Sequence, residues 1–269
     1  MRLVLTILFI SINLKLLACS GCNVSTGLVN SDPVNYFSFK LRNSNYDGIE
    51  SSFLRHTGHG GAFKESYLNY DFGVKYFFYK KWYIQGVFSY QQTKLTTDSA
   101  SNLINGITDP LFLIGYNSYK VFENWQLNYN FFGGVDFGVG DYKSSFGEEY
   151  SPGSKSNDGI VGAEFLAKVN KVGFSLKGNI KLNFENDLNY NFGNGINSTF
   201  LFLYYHEKEN MTYIPYLGTT YELNEQDFLN NDLVYNTSSE VLFFDMGINF
   251  LFKEKILIGG KYQICLLYT

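Results

Sequence analysis

Residues 107–139 read ITDPLFLIGYNSYKVFENWQLNYNFFGGVDFGV. From Trp125 onward every second residue is apolar: Trp125, Leu127, Tyr129, Phe131, Val135, Phe137 and Val139. The set between them is Gln126, Asn128, Asn130, Phe132, Gly134, Asp136 and Gly138. A period of two is the mark of a β-strand whose faces meet different surroundings. The alternation predicts one strand over Trp125–Val139, about fifteen residues where a strand usually has roughly 5 to 6. Such a length suits a membrane wall better than a small sandwich. The strand before it, Leu111–Tyr119, is joined through Val121-Phe122-Glu123-Asn124, too short for any crossover, so the two form a hairpin.

The rest of the chain repeats this unit. Alternation predicts strands over Asn35–Arg42, Tyr67–Tyr79, Trp82–Lys94, Ile160–Val169, Val172–Phe184, Ile196–Tyr205, Thr212–Glu222, Glu240–Phe252 and Ile256–Tyr268, eleven in all with the first pair. The clearest is Val172–Phe184, where Val172, Phe174, Leu176, Ile180, Leu182 and Phe184 alternate with Gly173, Ser175, Lys177, Asn179, Lys181 and Asn183. Connections alternate between about two to five residues and about ten to twenty-four. Outer-membrane barrels obey that parity because their periplasmic turns are short and their external loops long. Aromatic residues flank the short links: Phe78, Tyr79, Trp82, Tyr83, Phe122, Trp125, Tyr204, Tyr205, Tyr213 and Phe252. Both tryptophans of the chain are among them, as expected of an interfacial girdle.

The fold expected is therefore all-β, an up-and-down antiparallel transmembrane β-barrel over residues 34–269. Closure is needed because hydrocarbon cannot satisfy an open sheet edge. Bacterial barrels of this kind have even strand numbers, so a closing strand past Thr269 is expected, with about twelve in the intact form. Met1–Ala18 reads as an export signal: Arg2 supplies the positive end, Leu3–Ile12 an apolar core, and Ala18 a small residue before cleavage. Residues 19–33 form a polar periplasmic entry segment. Within it Cys19 follows Leu16-Leu17-Ala18 in lipobox fashion and is either the lipidated first residue or, with Cys22, half of a disulfide.

The alternation assigns an inner face as well. Lys40, Arg42, Asp71, Lys75, Asp136, Glu164, Lys168, Lys177, Lys181, Asp245 and Lys261 fall on it, where they either pair to plug a narrow interior or line a polar path. Placing Lys or Arg on the lipid side would cost roughly 2 to 4 kcal/mol near the midplane. His56 and His59, near Glu65 in the first long loop, form a candidate transition-metal pair. A net charge of −4 without a basic stripe offers nothing to nucleic acid. The chain carries no G-x-S-x-G, P-loop or dinucleotide fingerprint, so neither catalysis nor a cofactor is expected. The partners expected are the outer-membrane bilayer, the machinery that inserts barrels into it, and a small-molecule solute.

Three short motifs carry a resemblance. They are Gly106-Ile-Thr-Asp109-Pro110, then Phe132-Gly-Gly134 with Gly138-Val-Gly140, then Ser151-Pro-Gly-Ser154 followed by Asp158; the Cys19-Ser-Gly-Cys22 start accompanies them. With them the chain resembles transporter-like outer-membrane barrels of Bacteroidota related to the "MetA pathway of phenol degradation" family. The resemblance implies a barrel that passes or binds small molecules, without fixing a substrate; the function expected is an outer-membrane pore or transporter for small solutes, apolar or aromatic ones included. It also sets Ile256–Tyr268 as a penultimate strand. The alternative from the residues alone is a non-conducting barrel that acts as a surface scaffold or adhesin through Asn43–Ser66 and Leu223–Ser238.

Overall fold

A computed structural model of the chain describes residues 34–49, 62–97, 101–142, 151–234 and 237–268. The export signal, Cys19, Cys22, His56 and His59 lie outside the described residues. In chain order the strands are β1 (Tyr36–Ile49), β2 (Ala62–Tyr79), β3 (Trp82–Thr97), β4 (Ser101–Ile107), β5 (Leu111–Val121), β6 (Gln126–Asp136), β7 (Asp158–Val169) and β8 (Val172–Leu182). They continue as β9 (Tyr190–Asn191), β10 (Gly195–Tyr204), β11 (His206–Lys208), β12 (Met211–Asn224), β13 (Asp227–Leu229), β14 (Asp232–Val234), β15 (Ser239–Phe252) and β16 (Ile256–Tyr268).

Neighbours in sequence pair antiparallel around a ring, and β1 closes it against β16. The ring has eleven staves, because β4 and β5 both pair with β3, and β10 and β11 both pair with β12, each couple forming one interrupted stave. An odd number forces one pair of neighbours to run the same way. That pair is β1 and β16, parallel from Phe37 opposite Ile256 to Ser44 opposite Gln263. A twelfth stave set at this seam would run antiparallel to both neighbours.

The short turns fall at one end of the barrel and the long loops at the other, as the loop lengths predict. Lys80, Asn170, Glu209, Lys253 and Glu254 in the short turns have positive φ, the left-handed backbone that lets tight hairpins follow the twist of their strands. The alternation also decides the faces. On β8, Phe174, Leu176 and Ile180 are 44%, 51% and 43% exposed, while Ser175 and Asn179 between them are buried. Phe165 on β7 and Phe200 on β10 stand directly beside Leu176, so the apolar residues form a continuous outer belt.

Several strands depart from their expected bounds, β2 among them, which begins at Ala62 rather than Tyr67. The fifth predicted strand stops at Asp136, short of Val139, although Phe137 and Val139 keep the outward alternation. Beyond Asp136 the backbone packs on other backbone: a Cβ on Gly138 would lie 2.5 Å from Ser156 N, and one on Gly140 2.7 Å from the Thr108 carbonyl carbon. The expected loop Leu95–Gly106 is instead a hairpin extension made by the end of β3 and β4, and the first predicted strand runs on to Ile49. Parts of two long loops, β9, β13 and β14, form a separate three-stranded sheet at the long-loop end.

The girdle needs one correction. Adjacent strand residues point to opposite faces, so of Trp82-Tyr83 and of Tyr204-Tyr205 only one each can reach lipid. Trp82 and Tyr204 do, as do Tyr79 and Trp125, while Tyr83 and Tyr205 are buried inside. Tyr213 is half-buried between the His206 and Phe250 rings.

Candidate functional site

The interior is layered rather than uniformly polar. At the short-turn end Leu166, Leu203, Tyr205 and Ile214 form one apolar cluster and Tyr36, Leu251 and Leu257 another, beside the buried Asn117–Asn128 pair. Toward the long loops Tyr67, Val241, Phe243 and Cys265 form a third. Between them lies a charged belt. Its ion pairs join side chains of neighbouring or next-neighbouring staves.

Arg42 grips Asp71 with two nitrogens, Nε–Oδ2 at 3.1 Å and Nη2–Oδ1 at 3.2 Å, and Ser89 Oγ donates to the same carboxylate at 2.7 Å. The two residues sit on neighbouring strands one diagonal apart, since Arg42 faces Asn69 and Lys40 faces Asp71. Lys261 lies 3.0 Å from Asp245, which also accepts from Gln263 and from the Thr220 hydroxyl. Asp245 is 0% exposed. Lys181 bridges two carboxylates, Asp136 at 2.9 Å and Asp158 at 3.0 Å. Lys40, Lys75 and Lys177 share the inner face of the same belt, together with Glu164 and with Glu222, which accepts from Asn197. Lys168 stands apart from them. It is at the short-turn rim, over the Tyr205 ring and 3.4 Å from Glu207.

Sequence reasoning placed these charges inward but left out Glu222, Asp158 and Asp109. Period-two counting along β12 would have found Glu222. The other two belong to a second structure, a cap at the long-loop end, and here the three motifs converge. The Asp109 carboxylate accepts the N–H groups of Gly140 (2.8 Å) and Ser154 (2.6 Å) and the Ser154 hydroxyl (2.7 Å). Asp141 accepts the Ile107 N–H through its side chain and the Gly153 N–H through its carbonyl. Asp158 accepts from the Ser156 hydroxyl and the Phe184 N–H. The cap then continues: Asn186 donates to the Ser154 carbonyl, and the Tyr190 hydroxyl and the Gly193 N–H both reach Asp227. Four links, those between β4 and β5, β6 and β7, β8 and β10, and β12 and β15, are thus tied into one layer, chiefly by the carboxylates of Asp109, Asp158 and Asp227.

The Asp109 clamp has a measurable consequence. Hydrogen bonds to a charged acceptor contribute about 1.5–3 kcal/mol each, so Asp109→Ala is expected to free the link between β6 and β7. Limited proteolysis of the folded protein should show cleavage in that link at least about tenfold faster, the equivalent of roughly 1.4 kcal/mol. The unfolding midpoint of the barrel should stay unchanged. Unaltered cleavage would mean that the clamp holds nothing.

Neither a protein-family model nor a curated protein sequence matches the chain. Among solved structures, the crystal structure of an outer-membrane channel from Pseudomonas putida F1 superposes with a TM-score of 0.61 at 12% identity, over 91% of this chain and 93% of that one. At that identity the likeness is one of architecture. The chain therefore has the fold of an outer-membrane β-barrel, closed on itself, apolar outside and charged within.

Proposed function

We propose that the protein is an outer-membrane channel or carrier for small solutes. The observation that carries this reading is the segregation of charge. Away from the strand ends, the Lys, Arg, Asp and Glu side chains of the staves gather in one inward belt, while the outward face between the strand ends is apolar. A purely structural wall has no need of a dozen ionic groups brought into its interior at a desolvation cost. The fold it shares with a bacterial outer-membrane channel supports the same reading.

The test is flux. The full-length protein, refolded into vesicles, is expected to pass small polar solutes in a swelling assay and to give discrete conductance steps in planar bilayers. A second reading, a surface scaffold, draws on the cap, whose three-stranded sheet presents Phe228 and Leu233 as an exposed cross-strand pair. Impermeable vesicles containing folded protein would favour the scaffold and reject the channel.

A further inference from the structure

Among the described residues, two ammonium groups of the belt, those of Lys75 and Lys177, have no carboxylate partner. Arg42 and Lys261 each have one, and Lys181 has two. Lys75 on β2, 4% exposed, and Lys177 on β8 have none within ion-pair distance. Both rest on aromatic rings instead. The Lys75 nitrogen is 3.9 Å from the Tyr83 ring centre, and that of Lys177 is 5.5 Å from the Phe132 ring centre. A cation over a ring face is stabilised, though less than by a counter-ion.

Glu164 lies opposite Lys177 in the register, and the Tyr83 ring under Lys75 packs in one cluster with Phe132, the ring under Lys177. Glu164 closes on neither lysine, and accepts a 3.4 Å hydrogen bond from Ser175. Two cations and one acid thus stand around these two rings, and one further negative charge would balance the three. Beside them is a second unmet demand. Asn179 stands two residues beyond Lys177 on the same inner face, is 4% exposed, and has neither its amide oxygen nor its amide nitrogen bonded. A buried amide left without partners costs the folded state a few kcal/mol. The flat wall next to it is Phe132, whose ring lies over Gly162. A Cβ there would be 2.4 Å from Phe132 Cζ and 2.8 Å from Asn179 Cβ, so ring and amide adjoin.

We propose that the face framed by Lys75, Lys177, Asn179 and Phe132 binds a small organic carboxylate. The anion lies between the two ammonium groups and accepts from the Asn179 amide, and its apolar body covers the Phe132 ring. The inference deepens the channel reading by naming a class of solute. It rests on that reading for transport but not for binding.

Calorimetric titration of the folded full-length protein in detergent at low ionic strength tests it, with benzoate as probe and benzamide as its neutral counterpart. Benzoate is expected to bind saturably and benzamide at least about tenfold more weakly, and Lys177→Met and Lys75→Met should each weaken benzoate by a similar factor. Glu164→Gln removes the competing internal carboxylate and is expected to tighten benzoate several-fold, an effect that damage to the fold would not produce. No saturable benzoate binding by the folded protein, equal affinity for benzamide, or a Glu164→Gln variant that does not tighten would each overturn the site. Benzoate flux into vesicles separates the two proposals. Binding without flux rejects transport and keeps the site, whereas flux without saturable binding rejects the site and keeps transport.

Discussion

Replacing Asp245 by alanine is expected to destabilise the folded barrel by about 3–5 kcal/mol, the cost of leaving one member of a buried ion pair alone. Asp245 is fully buried on β15, and Lys261 reaches it from the adjacent β16 at 3.0 Å. Once the carboxylate is gone, the Lys261 ammonium, itself 8% exposed, has no counter-charge at its end. Gln263 and Thr220 lose their acceptor as well. The double variant Asp245→Leu, Lys261→Met removes both charges and should recover most of the loss, because an apolar pair of similar volume replaces a desolvated ionic one. Denaturant unfolding in lipid vesicles, followed by the fluorescence of Trp82 and Trp125, measures both. A single variant within about 1 kcal/mol of the parent would put the pair in water, where exposed ion pairs contribute that little.

Leu176→Arg tests the opposite face. Leu176 is half-exposed in the middle of β8, between Phe165 and Phe200 on the flanking strands. An arginine there would project into the hydrocarbon and is expected to cost about 2–4 kcal/mol at the midplane, falling toward zero near an interface. Ser175, the next residue along, faces inward and donates to Glu164. Ser175→Ala is therefore expected to cost only about 0.5–1.5 kcal/mol. The same unfolding assay compares the two. If Leu176→Arg were neutral, this side of β8 would face water, and the bilayer placement would fail.

Both predictions depend on which way a strand residue points, and that much was legible in the residues. A period of two is local, so Phe174, Leu176 and Ile180 could be set outside and Lys177 and Lys181 inside from β8 alone. The parity of loop lengths likewise needed only counting. Where the reading failed, it overlooked its own rule. Lying beside a short turn does not make Tyr83 or Tyr205 part of the girdle: each follows an outward aromatic and points inward. The end of β6 was a different kind of error. Phe137 and Val139 continue the alternation, and nothing in the strand itself shows that glycines 138, 140 and 153 bring two distant backbones into contact.

The amino-acid order by itself determined the class of the fold, the number of visible staves and the side each residue faces, because alternation, turn length and interfacial aromatics are properties of neighbours in the chain. Only the tertiary structure decided that β1 meets β16 in parallel and that Asp109 gathers three separated motifs. It also decided that Arg42, Lys181 and Lys261 find acids while Lys75 and Lys177 find rings. Those outcomes depend on register and stagger around a closed ring, which fix the diagonal that each side chain crosses. A sequence has no term for a diagonal between strands until the ring has closed.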